Sequence, residues 1–254
     1  MEDHAYIGEL LAGIVYLIAG VRLLRLGRRT GKLPERLLGA TFLFMGVSSV
    51  LYVLPVFSRF ESLWTPLNFA GRVTYLPAAV MLALFTRLVF RPDKRWGAWL
   101  VWGSAILLVT GVGGSALGGD WEGFSISNRW FWFEWVGITL PFCWAGSEAL
   151  IQYRRARRRL DLGLCEPLVC NRYLLWALFG ALQTCSLLVL IPQYAEYETT
   201  SQFTATWDTL YGATIIAALV MIWLVFFPPI FYRNWISRLA TVADAAEEGA
   251  PHGG

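Results

Sequence analysis

Residues 204–230 read TATWDTLYGATIIAALVMIWLVFFPPI and carry one charged residue, Asp208. A helix needs about 20 apolar residues to cross a bilayer, so this run is long enough for a single pass. Working back along the chain, the same reading fits residues 168–191, 130–152, 97–117, 67–90, 37–57 and 5–24, each bounded by charge. The expectation is an all-α, polytopic bundle of seven transmembrane helices in one membrane domain, 1–238. A disordered cytoplasmic tail over 239–254, ending ATVADAAEEGAPHGG, follows it. Composition agrees. Of 254 residues 56% are hydrophobic and 15% charged, with mean hydropathy +0.51. This excludes a disordered chain and argues against a water-soluble domain. Thirteen Trp, ten Tyr and sixteen Phe suit aromatic girdles at the two interfaces. Seven spans use about 140–160 residues and leave no room for a soluble catalytic domain.

Basic residues set the orientation. Arg22, Arg25, Arg28, Arg29, Lys32 and Arg36 follow the first span, and Arg87, Arg91, Lys94 and Arg95 follow the third. Arg154, Arg155, Arg157, Arg158, Arg159 and Arg172 lie after the fifth, and Arg233 and Arg238 after the seventh. Thus 18 of the 21 basic residues share one side, with only Arg59, Arg72 and Arg129 toward the other. The expected topology puts the N-terminus outside and the C-terminus inside. With Glu2 and Asp3 before it and a basic exit, the first span reads as a retained reverse anchor and not a signal peptide. The basic loops are explained by topology, without nucleic acid as a partner.

The chain partly repeats itself at an offset of 136. Arg22-Leu-Leu-Arg-Leu-Gly27 falls on Arg158-Arg-Leu-Asp-Leu-Gly163, Arg36 on Arg172, Val53-Leu54 on Val189-Leu190, and Tyr75 on Tyr211. Leu88-Val-Phe-Arg-Pro92 falls on Leu224-Val-Phe-Phe-Pro228, giving 14 identities over 71 positions. An even number of crossings separates the halves, so the repeat is parallel, with the fourth helix as linker. This 3+1+3 arrangement resembles the transporter–opsin–receptor superfamily, which includes sugar-efflux carriers, PQ-loop transporters and microbial rhodopsins. The resemblance is architectural. Pro192-Gln193 is placed at the outer end of helix six, with Val56-Phe57 at the matching place. The only lysines, Lys32 and Lys94, lie in cytoplasmic links, so the retinal lysine is absent and Gly212 stands at its place, four residues after Asp208. Arg72 and Asp208 fall where opsins commonly carry an Arg and an Asp, and Tyr75 stands at the opsin counter-ion position.

Elimination narrows the chemistry. His4 and His252 are terminal, which leaves no intramembrane ligand for haem, a di-iron centre or zinc, and no Ser–His pair. The expectation is no enzyme and no cofactor. Cys143, Cys165, Cys170 and Cys185 read as small apolar fillers, neither disulfides nor a metal site. Gly111, Ser115 and Gly119 recur every four residues and read as a packing face of helix four.

Ionisable residues inside spans are costly and need an explanation. Glu9, Arg72, Glu134 and Asp208 fall in the outer half, and Glu148 near the inner end of helix five. Arg72 lies about five residues inside its expected helix, roughly 7 Å deep. Three readings stand side by side: an arginine snorkelling to the interface, a structural ion pair with Asp208, or the base of an outward-open pocket. In the pocket reading Tyr75 and Tyr211 lie one turn deeper, and Glu134 and Glu9 complete the ring. Glu148 is expected to pair with Arg154 or Arg155. Pro77 and Pro141 fall inside helices and remove backbone hydrogen bonds. The stretch Trp130-Phe-Trp132-Phe-Glu134-Trp135 reads as a belt or as a ring-lined rim.

The leading functional expectation is a receptor-like, sensory integral membrane protein of a bacterial inner membrane. Its partners would be the bilayer, a small-molecule ligand and a separate cytoplasmic or membrane protein. A small-solute transporter and a structural subunit of a larger membrane complex are the alternatives.

Overall fold

The structure is a computed structural model that describes residues 3–57, 61–121, 125–200, 202 and 204–236. The tail over 239–254, Arg59 and Arg238 lie outside the described residues. The helices are α1 (Asp3–Thr30), α2 (Leu33–Phe57), α3 (Trp64–Phe90), α4 (Arg95–Leu117), α5 (Arg129–Leu160), α6 (Pro167–Thr200) and α7 (Ala205–Phe226). A short 3-10 turn, Glu61–Leu63, leads into α3. Among the described residues there is no strand. Six helices, all except α5, are long and apolar enough to cross a membrane, and such surfaces imply a lipid bilayer around them.

Several helices outrun the apolar runs that announce them. α1 continues to Thr30, α5 to Leu160 and α6 to Thr200, because hydropathy marks the part of a helix that suits oil and not where its hydrogen bonds stop. Arg157, Arg158 and Arg159 occupy the last turn of α5, where cations favour the helix dipole. Gly31 (φ +71°) takes the left-handed conformation directly after α1, and Gly163 (φ +67°) takes it in the turn that follows α5. α7 stops at Phe226 and not at residue 230, because Pro228 cannot continue a helix and restricts the residue before it. Pro192 lies inside α6, eight residues before its end, so Pro192-Gln193 is not at the helix terminus that the apolar run indicates.

α1, α2 and α3 pack in chain order, as do α5, α6 and α7. α7 returns to α1, and α3 touches α5 directly, so six helices close a ring. α4 packs on α3 and α5 from outside it. Its outward face stays bare, with Trp99 77% and Val109 66% exposed. Small residues allow the close approaches. A Cβ on Gly20 of α1 would lie 2.8 Å from the Leu43 backbone nitrogen of α2, and one on Gly111 of α4 2.5 Å from the Glu134 backbone nitrogen of α5. Ser115 is fully buried on the same face. Gly119 falls outside that stripe: it lies past the helix end at φ +83° with nothing within 4 Å.

Toward the end of the bundle that carries the basic links, the middle is filled with rings. Phe42 of α2 meets Phe179 and Trp176 of α6 and Phe226 of α7 at centroid distances of 6.3, 6.2 and 5.7 Å. Phe142 of α5 meets Phe179 at 6.2 Å, and Tyr16 of α1 stacks on Phe42 at 5.7 Å. The cluster ties five helices together and leaves the opposite end of the ring less filled.

Candidate functional site

The opposite end holds a cavity of about 400 Å³, lined by α1, α2, α3, α5, α6 and α7. No residue of α4 reaches it. All six sequence-predicted site residues, Glu9, Arg72, Tyr75, Glu134, Asp208 and Tyr211, line this one space. They converge because each lies near the same end of its helix and on the face turned into the ring.

Of the three readings of Arg72, the structure bears first on snorkelling and on the partner named for an ion pair. Arg72 is 4% exposed and does not snorkel. α3 begins at Trp64, so Arg72 lies eight residues inside it, roughly 12 Å from its start at 1.5 Å per residue. Its guanidinium joins Glu134 of α5, not Asp208: Nη2 donates to Oε2 at 2.5 Å and Nε to Oε1 at 3.3 Å. Nη1 donates to the Asp120 and Trp121 carbonyls at 3.2 and 2.8 Å. Asp208 Oδ1 accepts from Gln193 Nε2 of α6 at 2.6 Å. The repeat equates Arg72 and Asp208 by register, while the ring puts α5 beside α3, so the nearer carboxylate takes the arginine. Across the cavity the Tyr211 hydroxyl donates to Glu9 Oε1, and the Ser49 hydroxyl also hydrogen-bonds to Glu9.

Several lining residues carry no charge and were not singled out by the search for ionisable groups. Gln183 Nε2 donates to the Tyr16 hydroxyl at 2.9 Å, and Ser48 donates to the Gly71 carbonyl at 2.9 Å. Asn68, Tyr52, Tyr194 and Tyr197 also line the wall. Amides in apolar helices, Gln183 and Gln193 above all, were the available signal, because an amide in oil also costs free energy unless it finds a partner. The rim expectation holds for part of the aromatic stretch. Phe131 and Trp135 line the cavity, whereas Trp132 and Phe133 face outward, 40% and 39% exposed.

The connection from α4 to α5 is fastened over this end. Besides the bonds that the Asp120 and Trp121 carbonyls each accept from Arg72, Trp121 packs edge-on against Phe69 of α3 with centroids 5.0 Å apart. Glu198 of α6 accepts from Ser125 Oγ at 2.5 Å and from Ser127 N and Oγ at 3.0 and 2.8 Å.

At the other end, Glu148 pairs with Arg91, Nε to Oε1 at 2.7 Å, and not with Arg154 or Arg155. Trp144 Nε1 donates to the same oxygen at 3.3 Å. The hydrogen bond to Glu148 holds the Arg91 guanidinium above its ordinary pKa. The reason for the partner change is that Glu148 faces α3 from inside the bundle, 3% exposed, while the Arg154–Arg159 run continues past it. Among the described residues no three of His, Cys, Asp and Glu come together as a metal would need, and the four cysteines are free. Compared with family models, curated proteins and solved structures, the chain matches none.

Proposed function

We propose that this protein is a receptor-like, sensory membrane protein with seven spans, its cavity facing outward to take a small ligand and its basic face docking a separate protein inside. The observation that carries the reading is the polar cavity set in the ring of helices, plugged toward the basic end by Phe42, Phe142 and Phe179. A volume of about 400 Å³ lies within the range of small-molecule sites, roughly 300–1,000 Å³. α5 serves as the seventh span. Its carboxylates Glu134 and Glu148 are both buried and each meets an arginine of another segment, which lets a helix of mixed composition sit in oil. The crowding of Arg and Lys at one end supports an outside N-terminus and an inside C-terminus in a bacterial cytoplasmic membrane. The likeness to the transporter–opsin–receptor superfamily is part of this reading and rests on the repeat at an offset of 136.

A carrier of the 3+1+3 type is the second reading, favoured by Pro192-Gln193 lying within α6 with Gln193 on the cavity wall. The two are separated by reconstitution. A receptor gives ligand-dependent thermal stabilisation in nanodiscs without flux in proteoliposomes, whereas uptake of the stabilising compound would replace this reading with the carrier. Orientation is checked by single cysteines at positions 125 and 155 in a chain whose native cysteines are replaced by alanine. An impermeant reagent added outside intact cells should modify position 125 only, and labelling of position 155 instead would turn the cavity inward.

A further inference from the structure

We infer that the cavity takes a protonated amine carried on an apolar body, an inference that rests on the pocket reading above. Three observations point the same way. First, Glu9 lies on the wall, and its hydrogen-bond partners among the described residues are neutral donors, the Tyr211 and Ser49 hydroxyls. A carboxyl so placed gains most from a ligand that brings positive charge and N–H groups with it. Second, Gln193 is 6% exposed, and its Oε1 has no hydrogen-bond partner while its Nε2 is held by Asp208. That oxygen accepts only, so it asks for a donor. Asp208 and Tyr211, one turn apart on α7, carry these two acceptors along a single face.

Third, the groups that would hold an anion are already used. Arg72 is the one cation among the described lining residues, and four of its five N–H groups go to Glu134 and to the Asp120 and Trp121 carbonyls. A carboxylate or phosphate ligand would have to displace Glu134 and leave it buried. The rest of the wall suits an apolar, ring-bearing body, and aromatic side chains attract a desolvated cation through their faces. Tyr16, Tyr75 and Trp135 are all on it. Protonated amine is therefore the head group, with its N–H donors meeting Glu9 and Gln193.

The test uses three soluble probes that share one body: phenethylamine, 2-phenylethanol and 3-phenylpropanoate, each at millimolar concentration against the purified full chain in nanodiscs. Phenethylamine should raise the melting temperature, with the alcohol and the acid binding about tenfold weaker or worse, one charge-assisted contact's worth. Glu9→Gln, which keeps shape and removes charge, should weaken the amine by about tenfold, and Glu9→Asp should retain part of it. Equal binding of the alcohol, an unchanged affinity in Glu9→Gln, or no shift with the amine at all would overturn the inference. If the variant does not fold, the comparison of the three head groups on the unaltered protein still decides. The pocket reading fails separately: Ser186→Cys, on the cavity wall, should react with a small water-borne thiol reagent in the cysteine-replaced background. An unreactive cysteine would mean no accessible pocket, whatever the probes do.

Discussion

Arg72 and Glu134 form a forked ion pair between α3 and α5, Nη2 to Oε2 at 2.5 Å and Nε to Oε1 at 3.3 Å, with the arginine 4% exposed. The two helices touch there because α4, which lies between them in sequence, is pushed to the outside of the ring. Breaking one half of such a pair strands the other as a buried charge, at a cost of about 3–5 kcal/mol. Arg72→Met and Glu134→Gln should each lower thermal stability in detergent by that order. The double variant should fall short of the sum by about 0.5–3 kcal/mol. Arg72→Met combined with Asp208→Asn should add to within about 0.5 kcal/mol. Strong coupling in the second cycle and none in the first would mean the arginine changes partner in the membrane.

The Tyr211 hydroxyl is a donor to Glu9. Tyr211→Phe keeps the ring and removes that donor, so an acceptor is left short at a cost of about 1–3 kcal/mol. The loss should vanish in Glu9→Leu, whose side chain asks for nothing; chemical denaturation of both backgrounds measures it.

At the end that carries the basic links the arginines separate by partner and not by number. Arg91→Ala removes the cation facing Glu148, which is 3% exposed, and should cost about 2–3 kcal/mol. Arg154→Ala and Arg155→Ala, which the structure leaves unpaired with Glu148, should stay within about 0.5 kcal/mol of the parent chain. Equal losses from all three would move the glutamate's partner to the arginine run.

Gly111 admits α5 where a Cβ would be 2.5 Å from the Glu134 nitrogen. Gly111→Val should destabilise by about 1–3 kcal/mol through overpacking, and because that nitrogen belongs to the residue holding Arg72, it should also loosen the Arg72–Glu134 pair. Gly103→Val, on the same helix with nothing within 4 Å of its added Cβ, is the matched control and should be near neutral.

How far the sequence discloses this molecule depends on which physical quantity is being read. Length of apolar run is additive along the chain, so 67–90 and 97–117 come out within three residues of α3 and α4. α5 and α6 were drawn short because their polar ends remain helical, and Gln193 was thereby placed at a terminus it does not occupy. Membership of the cavity was legible for Glu9, Arg72, Glu134 and Asp208, since charge in a span has to face inward, and for Tyr75 and Tyr211 because they stand one turn from Arg72 and Asp208 on the same helix faces. Partnership was not. An offset of 136 relates Arg72 to Asp208 by depth alone, and depth says nothing about which helices are neighbours around a ring. Of the neutral wall, Tyr16 and Tyr52 were silent because a tyrosine in an apolar run looks like any other interfacial residue until the helices are assembled, whereas Gln183 offered a signal that a search for charge passes over.

α4 shares a seam with the site helices yet supplies nothing to the space they enclose. Its two faces therefore meet different steric demands. The side bearing Gly111 and Ser115 tolerates almost no enlargement, while the side bearing Trp99 and Val109 can change among greasy residues without altering the cavity. A reporter fluorophore or a tether to a solid support belongs on that outer side, where it can watch or hold the bundle without entering its chemistry.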